Sequence, residues 1–252
     1  MPENLNKVAR VTLLFWLMKI LATTLGETLG DQLSMSMGLG YATGIGITLV
    51  AFLAVLFLQV FRRNFYAPLY WAVIVGTTTL GTEISDFMDR SLGLGYLAGS
   101  AVLLSAMLSI LAVWHKRLGG IRVYPVTLRS EELFYWAAIL ASNSLGTAFG
   151  DLLADDLGFT YLQGAMITAG VIGVVLVLHR FTKLNHVLLF WIAFIFTRPF
   201  GATFGDLLTK STTAGGLDLG TLPATLVTAA LLGMLIIVAH RQEIKEQAKA
   251  SG

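Results

Sequence analysis

The chain has 252 residues, 56% of them hydrophobic and 13% charged, and its mean hydropathy is +0.75. An ordinary soluble domain carries roughly twice that charged fraction, so the composition argues against a water-soluble globule. The absence of cysteine removes disulfides, thiolate metal sites and cysteine nucleophiles, and a net charge of +2 without a basic-aromatic surface argues against a nucleic-acid partner.

In chain order, Met1 to Arg10 is polar and leads straight into a full-length apolar run. With no small-residue cleavage site, it reads as an uncleaved first helix. Eight apolar runs lie near 12–34, 41–61, 68–89, 94–115, 134–155, 160–180, 187–209 and 220–240. Each is long enough for a transmembrane helix. The expected fold class is all-α: a polytopic membrane bundle of eight transmembrane helices forming one membrane domain over 1–252, with the lipid bilayer as its first partner. Between the fourth and fifth runs, 118–133 reads as a cytoplasmic linker containing Gly119, Gly120 and Pro125.

Lys7, Arg10, Arg62, Arg63, Lys116, Arg117, Arg180, Lys183 and Arg241 lie at the termini or after even-numbered runs. In the other loop set only Arg90 and Lys210 are basic. The positive-inside rule then predicts that both termini are cytoplasmic.

A repeat runs through these elements: Trp, nine residues, Gly, three residues, a small residue, Asp. Its copies are Trp16, Gly26, Gly30, Asp31; Trp71, Gly81, Ser85, Asp86; Trp136, Gly146, Gly150, Asp151; and Trp191, Gly201, Gly205, Asp206. The Trp residues are 55, 65 and 55 positions apart, which divides the chain into two halves of two repeats each, 12–63, 68–117, 134–182 and 187–241. Each repeat holds an even number of helices. Successive repeats therefore share one orientation, parallel repeats about an axis along the membrane normal. All four Asp residues should lie at one depth, about 22 Å along the helix from their Trp.

Along each odd helix a polar stripe leads to the Asp at intervals of four: Thr23, Glu27, Asp31; Thr78, Thr82, Asp86; Asn143, Thr147, Asp151; Arg198, Ala202, Asp206. Residues four apart share a helix face, and lipid does not tolerate such a face, so it should turn inward. Beside it the small-xxx-small pairs Gly26/Gly30, Gly81/Ser85, Gly146/Gly150 and Gly201/Gly205 would let backbones approach closely. Glu83 falls one position off its stripe. Lys19, three residues after Trp16, is expected to snorkel to the interface. The aromatic pairs Phe15-Trp16, Tyr70-Trp71, Tyr135-Trp136 and Phe190-Trp191 are expected to form an interfacial belt. The even helices open on Gly38-Leu39-Gly40-Tyr41, Gly93-Leu94-Gly95-Tyr96 and Gly158-Phe159-Thr160-Tyr161, read as tight turns with Tyr anchors.

Six acids, Glu27, Asp31, Glu83, Asp86, Asp151 and Asp206, thus enter the membrane, and Arg198 is expected to pair with one of them. Clustered carboxylates cannot all ionise without a counter-charge, so they take up protons or a cation. With no Cys and no His inside a span, the ligands are oxygens, which favour hard cations such as Mg²⁺ or Mn²⁺. The expected function is a cation transporter coupled to protons. The six acids would be ligands, and Thr23, Thr78, Thr82, Asn143, Thr147 and Arg198 would line the pathway. No resident cofactor is implied: the metal would be cargo. The alternative is a proton-coupled carrier of a small organic solute, with Arg198 holding a carboxylate. Less favoured are an intramembrane enzyme, which no nucleophile-base motif or phosphate loop supports, and a structural or sensory membrane module, for which intramembrane acids are not needed. Oligomeric state is left open, a homo-oligomer included.

From Phe15 to His240 the tandem copies resemble a family of bacterial integral membrane proteins built from four copies of a two-helix repeat of unknown function. Repeat two departs in carrying Ser85 where the others have Gly. The resemblance implies the repeat architecture and a bacterial inner-membrane location, and lends no activity.

Overall fold

The computed structural model describes residues 6–250. Met1 to Leu5 of the polar leader lie outside them. The helices are α1 (Leu13–Asp31), α2 (Tyr41–Phe61), α3 (Ala67–Asp86), α4 (Tyr96–Leu118), α5 (Arg129–Asp151), α6 (Tyr161–Phe181), α7 (His186–Thr209) and α8 (Thr221–Ala250). Helix α5 starts earlier than its apolar run. Glu131 and Glu132 occupy its first turn, where carboxylates favour the helix N-terminus. Helix α8 runs on past the apolar segment because Glu243 to Ala250 is rich in good helix formers.

Odd helices form a closed inner ring in the order α1, α3, α5, α7 and back to α1. Each even helix packs outside on the next odd one, α2 on α3, α4 on α5, α6 on α7, and α8 closes the cycle on α1. Burial follows this division: 61% of the apolar windows of α1 and α7 is buried, against 22–28% in the even helices. Among the described residues, six helices are long and apolar enough to cross a membrane. The exceptions, α3 and α5, are diluted by Thr77, Thr78, Thr79, Thr82 and Glu83, and by Glu131, Glu132, Ser142, Asn143, Ser144 and Thr147. All of these are buried.

Small residues set the ring spacing. The first small residue of each repeat faces the next repeat's polar stripe: Gly26 meets Thr78, Gly81 meets Asn143, Gly146 meets Arg198, and Gly201 meets Thr23. One turn on, Gly30 meets Thr82, Gly150 meets Ala202 and Gly205 meets Glu27. Stripe hydroxyls then bond across the gap. Thr78 donates to the Ala22 carbonyl at 3.1 Å, Thr82 to that of Gly26 at 3.3 Å, and Thr23 to that of Thr197 at 3.2 Å.

At the Trp end of the ring the aromatic pairs turn inward, which overturns the expected interfacial belt. Phe15 packs on Trp71, Tyr70 on Trp136, Tyr135 on Trp191 and Phe190 on Trp16, each on the next repeat's indole. Trp71, Trp136 and Trp191 are buried. The cyclic order gives every ring a partner, at about 0.5–1.5 kcal/mol per pair beyond burial. The Tyr70 and Tyr135 hydroxyls bond each other at 2.6 Å, both fully buried. Tyr70→Phe strands the Tyr135 hydroxyl and should cost about 1–2 kcal/mol, whereas Tyr70→Phe with Tyr135→Phe should be nearly neutral. Unfolding of the three proteins in detergent tests this, and an additive double variant would refute the pairing.

Beyond this layer the N-terminal segment closes the same end. Asn6 accepts from the Phe65 amide at 2.8 Å, Lys7 donates through its amide to Val126 at 3.0 Å, and the Lys7 ammonium reaches Glu132. Gln59 donates to Glu132 at 3.1 Å. Four pieces of chain from that end are thereby tied around one buried carboxylate.

Candidate functional site

The polar stripes meet on one side chain. Arg198, fully buried, leaves α7 and donates from Nη2 to Glu27 Oε2 on α1 at 2.8 Å, to Thr147 Oγ1 on α5 at 2.7 Å and to Thr82 Oγ1 on α3. Its Nη1 faces the Thr23 carbonyl at 3.4 Å. A single guanidinium therefore touches all four inner helices, as only a convergent ring allows. A planar fork of donors suits this multiple contact better than a lysine would.

One turn nearer the Trp end lies Lys19. It does not snorkel to an interface: it is fully buried, 3.0 Å from Asn143 Oδ1 and 4.1 Å from the centre of the Phe194 ring. Asn143 donates in turn to Thr77 Oγ1 at 3.0 Å. An amide oxygen and a π-face offer the ammonium inward partners, which the distance to an interface does not.

At the other end of the ring the four Asp residues are linked in two pairs, each by a cation four residues after one of them. Arg90 lies 3.8 Å from Asp86 and 3.1 Å from Asp151 of the next repeat. Lys210 lies 3.2 Å from Asp206 and 2.9 Å from Asp31 of repeat one. These are the only basic residues of their loop set, and they are what the sequence reading lacked: it left the acids without basic partners apart from Arg198. The two half-sites repeat with the period of two repeats, as the Trp spacing does. Met35 and Asp155 stand at the equivalent positions of repeats one and three. Burial alone would lower the Lys210 pKa, but Asp206 and Asp31 outweigh it and hold the net shift upward, so this ammonium stays charged.

Glu27, Asp31 and Asp206 each offer an oxygen, and these oxygens lie within 4.8 Å of one another. Asp86 and Asp151 sit on the Arg90 side of the same mouth. Glu83 is turned away from this group. Its carboxylate lies 3.5 Å from Ser34 and fills the space left by Gly44 on α2. One position off a stripe is a rotation of about 100°, enough to point the side chain outside the ring.

Immediately after the Asp, repeats one to three leave α geometry. The segments Gln32–Ser36, Phe87–Ser91 and Leu152–Asp156 are π-helical. Such turns are rare and cluster at functional sites. The second of them presents Arg90 to the mouth. Gly38, Gly40, Gly93, Gly95 and Gly158 follow with φ of 67° to 75°, a conformation glycine adopts without strain. These turns return the chain so that Tyr41 and Tyr96 accept from Arg90 at 3.3 and 3.1 Å, and Tyr96 donates to Asp155 at 2.9 Å. The tyrosines are therefore mouth residues.

No curated protein and no solved structure matches the chain. The family model described as Repeat of Unknown Function (DUF347) matches residues 14–65, 69–118, 134–185 and 189–245, one copy per structural repeat, and the chain belongs to that family.

Proposed function

We propose that the protein is a multi-pass cation transporter of the bacterial cytoplasmic membrane, moving a hard divalent ion such as Mn²⁺ or Mg²⁺ in exchange for protons. In this reading both termini are cytoplasmic and the Asp mouth opens outward. The observation that carries it is the Glu27, Asp31 and Asp206 oxygen group with the Lys210 ammonium already seated 2.9 and 3.2 Å from two of its members. Oxygens at this separation suit a hard cation, and a tethered ammonium is a charge surrogate for one.

Lys210 stands at the C-terminal end of α7, where the chain leaves the helix. An arriving ion would displace it outward and take over the carboxylates. Protons returning to those carboxylates would release the ion, since clustered acids hold either one or the other. Arg90 keeps its charge at any physiological pH and would hold the Asp86–Asp151 half fixed. Arg198, held by four partners, is the static counter-charge of Glu27; Lys210 is the mobile one.

Purified protein in liposomes, with Mn²⁺ influx followed beside an internal pH dye, tests the reading. Asp31→Asn and Asp206→Asn should abolish flux and its opposing proton movement. Lys210→Met removes the internal competitor, and its half-saturating Mn²⁺ concentration should fall about tenfold, the equivalent of about 1.4 kcal/mol. Undiminished flux in both Asn variants would overturn the site. Wild-type vesicles that pass no divalent ion would overturn the function and favour the solute carrier.

A further inference from the structure

Lys19, which the cation reading does not use, stands beside Arg198 at a second basic centre. Both side chains are fully buried. Both are anchored on the same two helices. Lys19 comes from α1 and bonds Asn143 on α5; Arg198 bonds Thr147, one turn along α5, and faces the Thr23 carbonyl, one turn along α1 from Lys19. Their partners on each of these helices therefore lie one helical turn apart, Asn143 and Thr147 on α5 and Lys19 itself and Thr23 on α1.

Their counter-charges do not balance. Glu27 is paired with Arg198, and no ion pair among the described residues involves Lys19. What faces Lys19 is neutral: the Asn143 amide oxygen from α5 and the Phe194 ring from α7. Donors are in surplus as well. The Lys19 ammonium has three N–H groups and one hydrogen-bond acceptor, Asn143. Arg198 Nε is buried with no hydrogen-bond partner among the described residues. Two buried basic side chains, one carboxylate and unspent donors are the reverse of the acid-rich mouth.

We infer that a small monovalent anion, chloride in size and charge, binds between the Lys19 ammonium and the Arg198 guanidinium. It completes the charge balance of the ring centre and accepts the donors that the protein leaves free. A spherical anion needs no directed acceptor geometry, so donors from two different helices can share it. This inference stands apart from the cation reading and holds whether or not a metal is transported.

Thermal unfolding of the purified protein in detergent tests it, in sodium chloride and in sodium gluconate at equal sodium concentration. A ligand bound only by the folded state raises the melting temperature with its concentration. Chloride and bromide should raise it by roughly 3 °C or more over gluconate, about the response of a chain this long to 1 kcal/mol. Asn143→Asp places a carboxylate against Lys19 and leaves the surface unchanged, so it should melt at the same temperature in both salts. Lys19→Met should lose the response too; should that variant not fold, Asn143→Asp decides. Equal melting of the wild type in the two salts, or a full chloride response in Asn143→Asp, would overturn the inference.

Discussion

Arg198→Met should remove about 3–5 kcal/mol of stability, the usual cost of deleting one partner of a buried ion pair. The size of the effect comes from what stays behind. Glu27 is 4% exposed and would keep its carboxylate at the ring centre without the guanidinium 2.8 Å away. Thr82 and Thr147 would lose their shared donor at the same time. Ordinary hydrogen bonds between membrane helices are worth only about 0.6 kcal/mol each, so the stranded charge dominates the total. Adding Glu27→Gln to Arg198→Met removes that charge and should recover most of the loss. Unfolding in mixed micelles gives both values. A single variant within 1 kcal/mol of wild type, or a double variant no better than the single, would show that Arg198 is not the hub of the ring.

The repeat, the inward stripe and the eight helices were legible in the sequence because each is periodic. A stripe of step four identifies a face without any knowledge of neighbours, and a polar face inside an apolar helix has only one place to go. The meeting of that face on Arg198 follows from ring closure, which needs α7 to return to α1, a contact across most of the chain. The cations at the mouth were harder to see. Arg90 and Lys210 follow their Asp by four residues in repeats two and four, a readable signal, but both fall where an apolar run has ended and a loop was expected. Continuing the helical step past Asp86 through a π turn would have found Arg90.

Lys19 and the Trp residues were misplaced for one shared reason. Amphipathic side chains near a span end usually face the interface, and sequence carries no sign of which side of the helix is already covered. Here Phe15 lies one turn from Lys19 on the ring-facing side, and the aromatic pairs close on one another around the ring. The rule that placed them at lipid was a rule about composition, and packing between repeats overrode it. Glu83 shows the opposite case. Its offset of one position was visible, and the same 100° geometry that made the stripe also excludes Glu83 from it.

Two glycine substitutions of the same chemistry should change stability in opposite directions. Gly26→Ala puts a methyl group into Thr78: the new Cβ would overlap the Thr78 side chain and lie 2.9 Å from its carbonyl carbon. Backbone cannot step aside as a flexible side-chain tip can, so α1 and α3 must separate. Separation also breaks the 3.1 Å bond from Thr78 to the Ala22 carbonyl. Overpacking of this kind costs up to about 3 kcal/mol, and Gly201→Ala, which meets Thr23 in the same way at 2.9 Å from its carbonyl carbon, should match it across the pseudo-symmetry. Gly46 on α2 is the control, because a Cβ there has nothing within 4 Å. With no clash to offset it, Gly46→Ala keeps the helix-propensity gain of up to about 1 kcal/mol. Melting temperatures in one detergent should fall for Gly26→Ala and Gly201→Ala and hold or rise for Gly46→Ala. If Gly26→Ala were as stable as Gly46→Ala, the close approach of α1 and α3 would be refuted. The alignment of the four stripes on Arg198, which depends on that approach, would fall with it.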